Sequence, residues 1–175
     1  NSFWLDQYKL IEYSKEIIEG DFRLVGMRTS RLNWNFPMIH YLLTPLIIFT
    51  SKVWVLYLSV AISYIIGIYS LSLILFKYRP FSEFLIFVLL SITHVWSLFF
   101  SSFAWPPNYI PFFVSLFLVC FFKYMQNSRN VFFFHVALIL LNIVFQLHTM
   151  SLTLMCGFFI ALFLLGKLPR YRHWI

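Results

Sequence analysis

A run of apolar residues at 53–76 contains no charged side chain, and it constrains this chain more than any other feature. An α-helix needs roughly 20 such residues to cross about 30 Å of hydrocarbon. The whole chain is 61% hydrophobic and only 11% charged, whereas soluble domains average about half and about a quarter. We therefore predict an all-α fold, a polytopic membrane helix bundle.

Further apolar stretches follow, and together they predict about five transmembrane helices. Their expected bounds are 53–76, 81–102, 109–125, 131–147 and 149–165. Residues 1–52 form a separate N-terminal segment that holds five of the 6 acidic residues, so it is the part suited to water. Because the chain shows no initiator methionine and no cleavable signal, we expect it to be a fragment of a longer membrane protein with at least one preceding span.

The N-terminal segment has the pattern of two helices that lie on a membrane surface. Residues 7–19 repeat apolar side chains with the helical period, and Gly20 is a natural helix stop. The apolar face consists of Leu10, Ile11, Ile17 and Ile18. Residues 36–50 are apolar but short for a span and contain two prolines. We expect a surface amphipathic helix followed by a juxtamembrane helix.

Basic residues occur in alternate connections between the predicted spans. These connections contain Lys77, Arg79, Lys123, Arg129 and Lys167. Residues 105–108 and 146–148 form connections without Lys or Arg. By the positive-inside rule the basic connections face the cytoplasm, so the N-terminal segment and both neutral connections are expected on the outer, periplasmic face of the plasma (inner) membrane. The net charge of +7 then reflects topology and lipid headgroups rather than nucleic acid.

Asp6 is the sharpest candidate for chemistry. It lies between Trp4 and Tyr8, just before the amphipathic pattern begins. A carboxylate at an apolar surface has a raised proton affinity and can act as a general base. The alternative is structural, because Asp is a favoured N-cap and would suit a helix that begins at Gln7. Local sequence favours the cap.

Arginines after the amphipathic pattern could bind a phosphate. Arg28 and Arg31, with Arg23 as a third, offer planar donors for charge-assisted hydrogen bonds. Lipid headgroups, or pairing with Glu19 and Asp21, would use the same side chains otherwise. His148 could add a donor at the outer end of its span, although an isolated histidine there is more often an interfacial hydrogen-bonding group.

The sequence lacks the motifs of several common enzyme classes. No glycine-rich phosphate loop, HExxH, GxSxG or Cys/His metal cluster occurs in it. Nucleotide and zinc chemistry therefore have no support, and we predict no metal ligands.

Five short segments resemble motifs of one enzyme class in order and spacing. They are WLDQY at 4–8, LVGMRTS at 24–30, FPMIHYLLTP at 36–45, WPPN at 105–108 and QLH at 146–148. This pattern resembles the GT-C membrane glycosyltransferases, especially the bacterial branch related to protein mannosyltransferases and lipid A aminoarabinose transferases. Gln7 departs from the pattern, since many relatives have a second carboxylate there. That departure argues against a carboxylate pair and against a metal ion bound by such a pair. A divalent cation stays open as a cofactor.

The resemblance implies an inverting glycosyltransferase that moves a sugar from a polyprenyl-phosphate donor to an acceptor hydroxyl of a lipid, glycan or protein. Asp6 would be the catalytic base. Arg28, Arg31 and His148 would stabilise the donor phosphate. The side chains that would line the outer-face site are Tyr8, His40, Tyr41 and Asn108. Partners would be the lipid-linked donor, the acceptor and the bilayer, with no nucleic acid.

Two other classes remain open. A carrier or flippase for lipid-linked glycans would bind the donor phosphate in a basic outer cavity without chemistry. A non-catalytic assembly subunit would have no donor affinity. A reconstituted assay with a labelled polyprenyl-phosphate sugar separates them, because only the enzyme transfers the sugar and only the carrier moves an intact donor between leaflets.

The predicted topology can be tested alone. Single cysteines at Asn108 and Arg129 should react with a membrane-impermeant thiol reagent from opposite sides of sealed vesicles. Labelling of both positions from the same side would overturn the assignment of faces.

Overall fold

The structure is a computed structural model that describes residues 2–27, 35–127, 130–148 and 151–166, without the side chains of residues 2–5, 96, 97 and 101. Every element in these ranges is helical. The α-helices are α1 (Ser2–Ile18), α2 (Met38–Phe49), α3 (Val53–Tyr78), α4 (Phe81–Thr93), α5 (Val95–Ser101), α6 (Ile110–Gln126), α7 (Val131–Leu147) and α8 (Leu152–Leu164). A 3₁₀ turn, Pro106–Tyr109, leads directly into α6.

Two of the described helical segments are long and apolar enough to cross a membrane. They are Val53–Tyr78 and Pro106–Gln126, and only 17% and 33% of their apolar windows are buried inside the structure. The core helix of a soluble protein would be mostly buried, so this exposure favours contact with lipid. The other apolar helices are shorter, from 12 residues in α2 to 17 in α7. The structure therefore supports association with a membrane, and the number of crossings stays a prediction.

Contacts between α3, α6 and α7 give the relative directions of these three helices. Ser59 Oγ near the start of α3 lies 2.7 Å from Tyr109 Oη at the start of α6. At the other end of α3, Tyr78 Oη donates to Gln126 Oε1 at 3.2 Å. The helices α3 and α6 therefore run parallel, while α7 returns antiparallel to α6, since Phe134 packs on Tyr124 near the end of α6.

The two ends of the bundle differ in character. At one end an apolar cluster joins α1 and α2 to the starts of α3 and α6 and to the last turns of α7. We call this the α1 end. Its most buried members include Leu10, Leu43, Leu56, Val144 and Leu147. The opposite end carries Lys77, Lys123 and the Arg79–Glu83 pair, which the spacing of those two residues predicts. The N-terminal segment, the 105–108 turn and the end of α7 thus share one end.

The predicted span at 81–102 is not one continuous helix. It breaks at His94, where α4 ends and α5 begins one residue later. A break frees the Ser91 carbonyl from its usual partner four residues on, and Tyr64 Oη of α3 donates to that oxygen at 2.9 Å. No proline or glycine occurs in the stretch, so the sequence alone gave no reason to divide it. The other predicted bounds agree with the observed helices to within about three residues.

The first helix ends where the sequence predicts, but it begins earlier. Gly20 has a φ of +96°, a left-handed conformation that glycine adopts without strain. Its N–H donates to the Ile17 carbonyl, and Asp21 N–H donates to the Glu16 carbonyl, which completes a Schellman motif. At the other terminus α1 extends to Ser2, whereas the apolar pattern alone predicts a start at Gln7.

The second helix lies across the α1 end of the bundle. Phe36, just before α2, packs on Phe145 in the last turn of α7, with ring centroids 5.4 Å apart. Only residues 50–52 separate the end of α2 from α3. On the face of α2 that contacts α1 and the bundle, Ile39, Leu43 and Ile47 are buried. This placement agrees with a juxtamembrane helix, and its 12 residues are too few to span a bilayer.

A backbone clamp fixes the chain that leads from α1 to α2. Gly26 N–H donates to the Asn35 carbonyl at 2.8 Å, and Asn35 N–H donates to the Met27 carbonyl at 2.9 Å. The backbone at Gly26 and the backbone at Phe36 approach so closely that a Cβ on Gly26 would lie 2.5 Å from the Phe36 carbonyl oxygen. Only glycine fits at this position without moving the backbone.

We expect Gly26→Ala to open the clamp and lower the free energy of unfolding by about 1–3 kcal/mol, the range for two backbone hydrogen bonds. Thermal unfolding in detergent measures the change. The matched control is Gly157→Ala in α8, where an added Cβ meets no heavy atom within 4 Å. Alanine in a helix interior should leave stability unchanged or slightly raised there. A Gly26→Ala variant as stable as the parent would refute the clamp.

Candidate functional site

Asp6 lies inside α1 and does not cap it. The helix begins at Ser2, so Asp6 is at its fifth position, beyond the residues that can accept from the first free N–H groups as an N-cap. The structural alternative that local sequence favours is therefore wrong. Asp6 is free of that role at the α1 end of the bundle.

The environment of Asp6 suits a base. Its side chain is half-buried, and burial raises the pKa of the carboxyl above its usual range, against a smaller lowering by the ammonium of Lys9. A raised pKa means that the carboxylate holds a proton more strongly. Such a group takes a proton from a hydroxyl more readily than an ordinary aspartate does.

Two hydroxyl contacts attach other parts of the site to the first turns of α3. Tyr57 Oη donates to Gln7 Oε1 at 2.5 Å, which ties α1 to α3 next to Asp6. Ser59, two residues further, contacts Tyr109 Oη at 2.7 Å and so ties the 105–108 turn to the same stretch. Asp6 and Asn108 are each adjacent in sequence to one of these contacts, and the structure brings their segments together.

Asn108 acts as a structural residue in this geometry. It is buried, and its Nδ2 donates to the Phe103 carbonyl at 2.9 Å. That bond closes the turn that follows α5 and orients Pro106–Tyr109. Asn108 therefore shapes the α1 end, and its amide is not presented at an open surface as the sequence predicts.

The two tyrosines predicted to line the site differ in exposure. Tyr8 is 65% exposed on α1, so it is accessible to a ligand. Tyr41 is half-buried, and its Oη donates to the Arg23 carbonyl at 2.8 Å. Tyr41 thus holds the chain after α1 against α2.

His40 does not line an open surface. Its side chain is fully buried between α1 and α2, edge-on to Tyr13 at 5.1 Å between ring centroids. Its backbone carbonyl lies 3.2 Å from Ser14 Oγ. Among the described residues, neither ring nitrogen of His40 has a hydrogen-bond partner. A buried imidazole without a hydrogen-bond partner costs free energy even when it is neutral, and it costs far more when it is protonated.

Arg23 is already engaged within the N-terminal segment. Its guanidinium lies 3.5 Å from the centre of the Tyr13 ring and pairs with the Glu16 carboxylate. The sequence offers Glu19 and Asp21 as partners, but Glu16 takes the bond because it lies one helical turn from Tyr13 on the same side of α1. Arg23 is therefore a structural cation rather than a spare phosphate ligand.

Arg28 and Arg31 lie outside the described residues. The described residues on either side of their segment are joined by the Gly26–Asn35 clamp, and Phe36 beside it packs on α7. His148 is the C-cap of α7 and is half-buried, and its backbone N–H donates to the Val144 carbonyl at 3.2 Å. The ends of the arginine-containing segment and His148 thus share the α1 end, and phosphate binding by these residues stays a prediction.

Sequence reasoning did not identify Gln7 and Tyr57 as a pair. Gln7 is buried at 4% exposure, on the same face of α1 as Leu10 and Ile11. A glutamine in the apolar stripe of an amphipathic helix is a signal that it hydrogen-bonds across an interface. Its partner, 50 residues away, could not be read from the pattern.

The described part of the chain contains no group of three or more His, Cys, Asp or Glu side chains that could hold a metal ion. Comparison with known proteins gave no match to any family model, curated protein or solved structure. The resemblance to the GT-C glycosyltransferases therefore stays a prediction from the sequence motifs.

Acid should weaken the packing of α1 on α2 through His40. Burial lowers the pKa of His40 most, and the nearby Arg23 cation lowers it further. The backbone carbonyl of Leu10 raises the pKa by less, so it falls from 6.5 to about 4. The folded state therefore favours the neutral ring. The contribution of neutral His40 to the free energy of unfolding is fully present above about pH 6.5. It is lost as pH falls toward 4, and the loss is about 3 kcal/mol in total.

The free energy of unfolding, measured between pH 4 and pH 8, checks this expectation. His40→Leu should remove most of the decline at acid pH, because no imidazole is left to protonate. The matched control, His135→Leu on the exposed side of α7, should keep the decline of the parent. An unchanged pH dependence in His40→Leu would contradict the assignment.

Proposed function

We propose that this protein is an inverting glycosyltransferase that uses a polyprenyl-phosphate sugar donor at the outer face of the plasma membrane. The single observation that carries the proposal is Asp6, a half-buried carboxylate of raised pKa at the α1 end. The motif order in the sequence supplies the reaction class. A carrier or flippase remains the rival proposal.

In the proposed reaction, an acceptor hydroxyl oxygen attacks the anomeric carbon of the sugar. The Asp6 carboxylate accepts the hydroxyl proton as the new C–O bond forms. The bond between the anomeric carbon and the phosphate oxygen breaks on the opposite side, and polyprenyl phosphate leaves with the electron pair. Attack from that side inverts the anomeric centre.

Negative charge develops on the leaving phosphate, so the proposal needs positive charge near it. We assign that role to Arg28, Arg31 and His148. The lipid tail of the donor would lie against the apolar helices, because these helices expose many large apolar side chains. Large apolar side chains more than 60% exposed on α3, α4 and α8 include Ile65, Tyr69, Phe76, Leu90, Phe163 and Leu164.

Asp6→Asn should reduce the rate of transfer of a radiolabelled sugar at least a thousandfold, because it removes both the general base and the orientation that the base gives to the acceptor. Expression and the unfolding temperature should stay unchanged. The matched control is Glu12→Gln, which removes an exposed carboxylate on the same helix. It should keep full activity. Normal transfer by Asp6→Asn would exclude Asp6 as the base, and leaflet exchange of an intact donor without transfer would favour the carrier.

A further inference from the structure

A buried polar contact lies next to Asp6 and has no part in the proposed reaction. Gln7 is 4% exposed, and its amide oxygen accepts from Tyr57 Oη at 2.5 Å. A buried amide oxygen that lost this donor would be left without compensation for lost hydration. The contact is therefore strongly favoured once α1 has docked.

The other contacts near this half of α1 are mostly apolar. Leu10 and Ile11 lie in the cluster at the α1 end together with Leu43 and Leu56. Apolar contacts are non-directional, so they resist separation of helices better than rotation about the helix axis. Ser14 supplies a directional contact to the His40 carbonyl, but it lies two turns from Asp6.

Rotation of α1 about its axis would redirect Asp6. Adjacent residues of an α-helix are rigidly connected, so any rotation at Gln7 turns the Asp6 carboxylate through the same angle. The same stretch of α3 also holds the 105–108 turn through the contact between Ser59 and Tyr109. Fixing Gln7 on Tyr57 thus fixes Asp6 relative to the rest of the α1 end.

We propose that the hydrogen bond from Tyr57 to Gln7 holds α1 in the rotation that presents Asp6 to the acceptor, which makes Gln7 and Tyr57 positioning residues. The proposal rests on the proposed function, because it concerns the same transfer. It also gives the neutral side chain of Gln7 a purpose: an uncharged amide can be buried against a phenol at much lower cost than a carboxylate.

The first test is kinetic. Tyr57→Phe removes the donor and keeps the ring, and we expect kcat to fall about tenfold or more while KM for the donor changes less than twofold. The matched control on the same helix is Tyr64→Phe, which removes the hydroxyl that donates to the Ser91 carbonyl. It should keep kcat. If Tyr57→Phe does not fold, Gln7→Leu serves as the second variant.

The second test reads geometry without activity. In a background with Cys120 and Cys156 replaced by alanine, a cysteine is placed at Asp6 and its reaction rate with a polar thiol reagent is measured. Adding Tyr57→Phe should change this rate at least threefold, whereas adding Tyr64→Phe should not. A cysteine in place of the exposed Tyr8 provides a second reference. A side chain so open to solvent stays accessible after a small rotation of α1, so its reaction rate with the reagent should not respond to either change.

The outcomes separate the inference from the function on which it rests. An unchanged kcat in Tyr57→Phe, an equal loss in Tyr64→Phe, or a loss confined to KM overturns the positioning role. An unchanged labelling rate at position 6 also overturns it. If Asp6→Asn transfers sugar normally, Asp6 is not the base; if the parent protein transfers no sugar, the proposed function fails. In either case the labelling rates still decide whether Tyr57 and Gln7 fix position 6.

Discussion

Burial of apolar side chains between α2 and its neighbours is the interaction on which this structure depends. Leu43 of α2 is 2% exposed, and it packs in one cluster with Leu10 of α1, Leu56 of α3 and Val144 of α7. Burying each such side chain contributes about 1.5–3 kcal/mol. Without this cluster the N-terminal segment would have no fixed place, and Asp6 would have no fixed relation to the other candidate residues.

Directional contacts then refine what apolar burial leaves undetermined. The hydroxyls of Tyr57, Ser59 and Tyr41 each connect α1, the 105–108 turn or the chain after α1 to a neighbouring helix. Each is a single bond worth about 1 kcal/mol net. Their value is geometric, because each one selects a rotation or a register among arrangements that bury similar apolar area.

The sequence predicted those features that depend on local pattern. Hydrophobic periodicity and loop charge give the helices, their alternating directions and the stop at Gly20, since each depends on neighbouring residues. The burial of His40 and the pairing of Gln7 with Tyr57 depend on residues far apart in the chain, so no local pattern contained them. The cap assigned to Asp6 failed for a related reason: the helix continues to Ser2 through residues outside the recognisable apolar stripe.

The interrupted helix at His94 shows how one helix can satisfy the backbone of another. No proline or glycine occurs in the stretch that breaks, and the hydroxyl that donates to the Ser91 carbonyl there belongs to Tyr64 on a different helix. The break is therefore accommodated by a pair of helices and not by α4 and α5 alone. Losing the Tyr64 hydroxyl would leave a single carbonyl unpaired beside α3, away from the contact between Tyr57 and Gln7 that holds α1.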